Sequence, residues 1–310
     1  MKELGLRIIV TLAAFSAVLS VTSCSIARMA YRPYDKEYIP LGFLVKDTYR
    51  SSVPGPGVRY MFVYLPESYF DSGLEYPVVY MLHGANGNET SWIRKGRILE
   101  NIDSLTIDGK AEECIYVFPD MNRYRNDSDF RNTHEKKSIE AFLGLNGSIE
   151  YAFLNDVVKH IDSSYRTIPR KDCRAIGGLS LGGLQAMYIS ANNPDCFGYV
   201  GLFSPLIHHP MRPGPYSFFY RKLEQKLRGQ FEDPPAFYWI MSGKYDFVYN
   251  SAFRFSRYLY TRKHLHHFHV SDGGHTWNNW QDYSIMFIKE LSKTFLEESG
   301  HSIRRRAEGR

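Results

Sequence analysis

Ala175-Ile176-Gly177-Gly178-Leu179-Ser180-Leu181-Gly182-Gly183-Leu184 joins a short apolar run, a glycine-flanked serine and the start of a helix-spaced apolar pattern. The spacing Gly178-x-Ser180-x-Gly182 has a physical requirement. A serine held in a tight strand-to-helix turn lifts its hydroxyl above a sheet edge, and flanking glycines avoid the clashes a Cβ would bring. The helix that starts there leaves backbone N–H groups unpaired, which favours negative charge nearby. A glycine-rich turn of this kind can be purely structural. The strand before it and the amphipathic pattern after it give Ser180 its reading as a nucleophile.

Outward from this turn, short apolar runs alternate with helical patterns. Strands are expected at 41–49, 58–65, 77–82, 114–118, 174–177, 199–203, 237–241 and 267–270. Several are apolar at every position, as a strand covered by helices on both faces requires. Helical spacing links Tyr151, Leu154, Val158, Ile161 and Tyr165 on one face, and Leu184, Met187, Tyr188 and Ala191 on another. The second pattern stops at Asn192-Asn193-Pro194, and a last helix is expected over 283–296. The alternation predicts an α/β domain over 41–297, with a largely parallel central sheet and helices on both faces. Residues 206–235, rich in proline and aromatics, read as a lid or as a plain crossover carrying one helix.

The chain has 310 residues, 44% hydrophobic and 23% charged, which supports one large core and excludes disordered, collagen-like or coiled-coil classes. The net charge of +5 sits mostly at the ends: residues 1–23 carry +1 and residues 301–310 carry +3, leaving +1 between. That is too little for a nucleic-acid-binding field. A basic start, an apolar run over 8–21 and small residues at its end read as a signal peptide over 1–23. Val21-Thr22-Ser23-Cys24 resembles a bacterial lipobox, so Cys24 is expected to carry the lipid that holds the protein to a cell-envelope membrane. Simple secretion is the alternative. Residues 24–40 then form a tether and residues 298–310 a basic flexible tail. Cys173 and Cys196 each precede a strand, and could bridge if those strands are neighbours.

A serine hydroxyl needs a base to become nucleophilic at neutral pH. In a strand-to-helix elbow fold the chain order is serine, acid, histidine, which removes His83, His134 and His160 from the eleven histidines. His208 and His209 leave no room for an intervening acid. His264, His266, His267 and His269 span a helix end and a strand, a spacing that points them to different faces rather than at a metal. His275, in Asp272-Gly273-Gly274-His275-Thr276-Trp277, follows the last strand and is assigned as the base. Asp246, just after the penultimate strand, is assigned as the acid that orients it, with a helix-capping role as the alternative. Asp272 is too close in sequence to reach the far ring nitrogen, and Asp233 lies before its strand. Oxyanion donors are assigned to the backbone N–H groups of Leu181 and of Ala85 in His83-Gly84-Ala85-Asn86-Gly87, a segment that could also be only a tight turn. Trp92, Tyr124, Trp277 and Trp280 fall in loops expected at the catalytic edge and are candidate substrate contacts, with ordinary packing as the alternative. Asp127-Ser128-Asp129 is too short for a calcium loop, and no metal or organic cofactor is required.

Together, Val63-Tyr64-Leu65-Pro66, Tyr80-Met81-Leu82-His83-Gly84, the segment 161–167, Gly178–Gly183 and Gly274-His275-Thr276-Trp277 resemble the esterase D-like branch of the α/β-hydrolase superfamily. That branch includes feruloyl and acetylxylan esterases, S-formylglutathione hydrolases, tributyrin esterases and mycolyltransferases. The resemblance implies a triad of Ser180, Asp246 and His275, with Ala85 and Leu181 as the oxyanion hole. It implies a serine carboxylic-ester hydrolase acting through an acyl-enzyme on acetyl, short-chain or feruloyl esters, free or attached to polysaccharide. The aspartate at 246 points away from mycolyltransferases, which use glutamate there. The expected export argues against a glutathione-linked role. The competing readings are an acyltransferase with the same triad and a non-catalytic lipoprotein that binds glycans.

Overall fold

The computed structural model describes residues 29–30, 38–53, 55, 57–122, 147–207 and 220–307. Nine strands form one sheet in the order β1-β2-β3-β5-β4-β6-β7-β8-β9. They are β1 Met29–Ala30, β2 Phe43–Arg50, β3 Val58–Leu65, β4 Val78–Leu82, β5 Ile115–Pro119, β6 Arg174–Leu179, β7 Tyr199–Phe203, β8 Phe237–Gly243 and β9 His267–Ser271. The first three pair antiparallel, β3 also runs antiparallel to β5, and β5-β4-β6-β7-β8-β9 are parallel. This is the α/β-hydrolase fold.

Every residue of β4, β5, β6 and β7 is buried, which is why these runs show no alternation. The helices are α1 Tyr69–Ser72, α2 Ser91–Arg94, α3 Ile98–Ile107, α4 Ser148–Phe153, α5 Lys159–Ser164, α6 Leu181–Asn192, α7 Leu223–Glu232, α8 Tyr249–Thr261 and α9 Trp277–Ala307. One core, containing Phe153, Ile161, Leu184, Leu227 and Phe255, packs α4 to α8 on one face of the sheet. The other packs Leu99, Ile102, Tyr283, Phe287 and Leu291 of α3 and α9 on the opposite face.

The expected face of Tyr151, Leu154, Val158 and Ile161 is only partly realised. A π-helical turn, Leu154–Val158, separates α4 from α5 and takes more residues per turn, so the buried face shifts to Ile149, Phe153, Val157, Val158 and Ile161. Tyr151 is left 74% exposed. The last helix begins six residues earlier than expected, and its backbone stays helical through Ala307, which replaces the expected flexible tail over most of 298–310. The expected tether is interrupted by β1, which pairs with Val45 and Lys46. Its end is fastened where Tyr38 Oη–H and the Leu41 N–H donate to buried Asp103, an acceptor that also takes Tyr64 Oη–H. Cys24 and the segment 1–23 lie outside the described residues.

The possible Cys173–Cys196 bridge is not formed: Cys114, Cys173 and Cys196 are all buried free thiols. Strands β6 and β7 are neighbours, but the Gly198 N–H bonds to Arg174 O, a register that sets Phe197 rather than Cys196 opposite Cys173. The Arg174 guanidinium donates to Cys196 Sγ, while Cys173 Sγ accepts from Arg170. Burial raises the pKa of both thiols.

Strand order also places the site. From β4 the chain moves to β5 on one side, and from β6 it moves to β7 on the other. Connections that leave neighbouring strands in opposite directions open a crevice at their carboxyl ends. The two loops bordering that crevice contain His83–Gly87 and Ser180.

Candidate active site

Ser180 joins β6 to α6 with φ 54° and ψ −115°, a conformation that costs energy for a residue with a side chain. Close packing holds it. A Cβ on Gly178 would sit 2.4 Å from Gly182 O, and one on Gly182 would sit 2.4 Å from His83 O and 2.6 Å from Leu82 O. These are backbone atoms with no freedom to swing aside, so both positions require glycine. The Ser180 N–H bonds to Phe203 O at 2.8 Å, fixing the elbow to β7.

The serine hydroxyl donates to His275 Nε2 at 2.9 Å. His275 Nδ1–H points at the Asp246 carboxylate, 3.0 and 3.1 Å from its two oxygens. The three side chains come from the ends of β6, β8 and β9, and the structure brings all three together. Burial works to raise the Asp246 pKa, yet the hydrogen bonds from His275 and the Val248 N–H, with the Ser204 hydroxyl beside them, outweigh it and hold the carboxyl below its ordinary value. An ionised carboxylate only accepts, so Nδ1 carries the imidazole proton and Nε2 presents its lone pair to Ser180. The Val248 N–H bond to Asp246 Oδ1 at 2.9 Å also leads into α8, so the helix-entry reading of Asp246 is realised together with the pairing to His275.

Ser204 is a site residue that sequence reasoning missed. It is fully buried at the end of β7, with φ 45° and its N–H bonded to Met241 O. Its hydroxyl lies beside the Asp246 carboxylate, buried and without a hydrogen-bond partner among the described residues. The only hint in the sequence is a serine before Pro205 at the end of an apolar run, a pattern too common to single out.

The loop after β4 lies against the elbow: a Cβ on Gly84 would be 3.3 Å from Ser180 Cβ. His83 braces this loop, since Nδ1–H donates to Gly84 O and Nε2 accepts the Met121 N–H at 2.9 Å. Both ring nitrogens are occupied, which leaves His83 no capacity to act as a base. The N–H groups of Ala85 and Leu181 have no acceptor among the described residues, and Leu181 opens α6, where the helix field favours an anion. Such an arrangement can activate a hydroxyl and receive a developing oxyanion.

The other expected residues go elsewhere. Asp272 pairs with Lys244 and Asp233 with Lys171, and His275 Nδ1 bonds to Asp246 instead. His264 stacks on Phe231, His266 bonds Ser256, His267 meets Trp239 and His269 meets Tyr283. The tryptophans are corrected. Trp92 is 1% exposed in α2 and donates Nε1–H to Leu82 O, and Trp280 is 6% exposed in α9. Their rings pack edge to face with Trp277, and Trp280 packs against His275, so Trp92 and Trp280 are a floor beneath the site rather than its lining. The helices that carry them turn these rings inward to fill the face covered by α3 and α9. Trp277 alone of the three is half-buried. Tyr124, Asp127-Ser128-Asp129, His208 and His209 lie outside the described residues, as does 208–219 of the expected lid. The described part of that segment contains α7, packed beside α6 as a crossover helix.

Fold and site together define an α/β-hydrolase with a Ser-His-Asp array beside two unpaired backbone amides. Residues 56–246 match the family described as "Putative esterase", more than half of the chain, and the chain belongs to that family. His275 lies beyond the matched span, so its place in the site rests on geometry. An endo-1,4-beta-xylanase/feruloyl esterase of Xylanibacter ruminicola is 35% identical over 147 residues, 46% of this chain and 19% of that protein. Endo-1,4-beta-xylanase Y of Acetivibrio thermocellus is 28% identical over 191 residues, 57% of this chain and 15% of that protein. The matches thus span a fifth or less of these relatives. Among solved structures, the ferulic acid esterase of Anaeromyces mucronatus in complex with ferulic acid superposes with a TM-score of 0.66 at 24% identity, over 87% of this chain and 97% of that one. S-formylglutathione hydrolase of Staphylococcus aureus gives 0.62 at 19% identity, over 85% and 99%.

Proposed function

We propose that this chain is a serine carboxylic-ester hydrolase acting on acetyl, short-chain or feruloyl esters, including esters carried by polysaccharide. The observation that carries the reading is the continuous hydrogen-bonded array from Ser180 Oγ through the His275 ring to Asp246, assembled from three strand ends. His275 Nε2 takes the hydroxyl proton as Ser180 Oγ adds to the ester carbonyl. Asp246 stabilises the imidazolium, and the N–H groups of Ala85 and Leu181 receive the oxyanion. His275 returns the proton to the departing alcohol, leaving an acyl group on Ser180. Water, deprotonated by the same imidazole, adds to that acyl group, and the imidazolium returns the proton to Ser180 Oγ as the C–Oγ bond breaks and the acid is released. The feruloyl preference draws support from the xylanase/feruloyl esterase relative and from the likeness to a ferulic acid esterase.

The same reading places the domain at 41–297, outside the cytoplasm, tethered by lipid on Cys24 after removal of residues 1–23. Its support is the basic start, the apolar run and the lipobox-like Val21–Cys24. Replacing Ser180 with alanine is expected to abolish hydrolysis of p-nitrophenyl acetate and methyl ferulate, together with labelling by a fluorophosphonate. Retained hydrolysis would move the chemistry away from Ser180. Palmitate labelling in a bacterial host, lost in Cys24→Ala, tests the anchor.

A further inference from the structure

Two of the most exposed aromatic rings in the described structure belong to the chain neighbours of the carboxylate in the array. Tyr245 is 74% exposed and Phe247 73% exposed, on either side of Asp246, which is 5% exposed. The Phe247 ring packs on the His275 ring, with centroids 4.4 Å apart and planes at 48°. A bare phenyl group lying on the imidazole while most of its surface faces solvent is not explained by the core, because the hydrophobic floor under His275 is supplied by Trp280.

Proton traffic says which part of an ester would meet this ring. In the collapse of the tetrahedral intermediate His275 Nε2 must donate to the departing alcohol oxygen, so that oxygen lies within about 2.6–3.2 Å of Nε2. The carbonyl oxygen is held at the loop after β4 and the start of α6, which sends the acyl carbon that way. The alcohol half is therefore the part that extends past His275, towards Phe247. Polar groups accompany the two rings: the Tyr245 hydroxyl, the Lys244 ammonium lying over one face of the Tyr245 ring 4.9 Å from its centroid, and the Asp272 carboxylate paired with Lys244. An aromatic face edged by a hydroxyl, a cation and a carboxylate suits a sugar, whose C–H face stacks while its hydroxyls bond at the rim.

We infer that Phe247 and Tyr245 form a shelf for the sugar alcohol of a carbohydrate ester, making Phe247 a specificity-determining residue. The inference rests on the esterase reading above and adds to it the residues that select the alcohol. The test compares kcat/KM for a feruloylated xylo-oligosaccharide with that for methyl ferulate, since both leave the same feruloyl group on Ser180. In Phe247→Ala the sugar-to-methyl ratio is expected to fall at least about fivefold, mainly through KM for the sugar ester. Phe247→Trp, which keeps an aromatic face, should restore it, and Tyr245→Ala should lower it in the same direction. A ratio that moves by less than fivefold in Phe247→Ala, even with both rates reduced, overturns the shelf and leaves Phe247 as a support for the imidazole. Wild-type protein that hydrolyses neither ester overturns the shelf, and the esterase reading falls with it only if p-nitrophenyl acetate is also left intact.

Discussion

Replacing Glu150 by glutamine should stabilise the protein by an amount that grows as pH rises above 4.5 and levels off above about 7. Glu150, in α4, is 1% exposed and accepts from Gln185 Nε2 at 2.7 Å, a contact that ties α4 to α6, the helix that follows Ser180. Its second oxygen and the Gln185 amide oxygen are both buried without a partner among the described residues. Burial pushes the carboxyl up from its ordinary 4.5 to about 7, against the smaller opposing effects of the Gln185 bond and the Arg59 charge. The folded state therefore keeps a proton that the unfolded chain has lost between pH 4.5 and about 7. With more protons bound to the folded state, stability falls as pH rises through that window and is level above it. At about 1.4 kcal/mol per unit, the loss amounts to about 3 kcal/mol.

Glutamine cannot ionise. Its NH₂ can also face the Gln185 oxygen, so that each amide donates to the other. Urea unfolding of the two proteins should give nearly equal free energies at pH 4.5 and a gap widening to about 3 kcal/mol by pH 8. Parallel stability curves across that range would refute the argument, because Glu150 would then titrate alike in both states.

Three further outcomes follow from the array and the chain entry. Asp246→Asn should lower kcat on methyl ferulate by about 10⁴-fold through loss of the imidazole orientation, measured by steady-state kinetics at pH 7. Because Asp246 is held below its ordinary 3.8, the stability it lends is present above that value and fades as pH falls through the lower folded value. Acid unfolding of the asparagine variant should lose that component. Asp103→Ala should cost on the order of 2–3 kcal/mol in urea unfolding, since it strands the Tyr38 and Tyr64 hydroxyls and the Leu41 N–H.

Local sequence carried the elbow, the both-face apolar strands and the serine-acid-histidine order, because each depends on neighbours along the chain. Strands β3 and β7 coincide with the expected runs, β1 falls where a tether is expected, and the others differ by one to a few residues at their ends. The cysteine bridge, the tryptophan contacts and the Tyr151 face were misread for a common reason. Each depends on which way a side chain turns, and that direction is fixed by partners distant in sequence: a one-residue register offset, the packing of α2 and α9, and one π turn.

What residues 174–184 determine alone is that a hydroxyl will stand in a strained turn, because Gly178 and Gly182 permit the contacts that create it. Whether that hydroxyl meets a base is decided only in three dimensions. Ser180 and His275 are 95 positions apart, and parallel pairing of β6 through β9 brings the ends of those strands to one edge. Ser204 and Phe247 join the site by the same route, one at the carboxylate and one at the imidazole. Strand alignment, a sum of many hydrogen bonds and buried faces spread along the chain, sets distances that no short segment encodes.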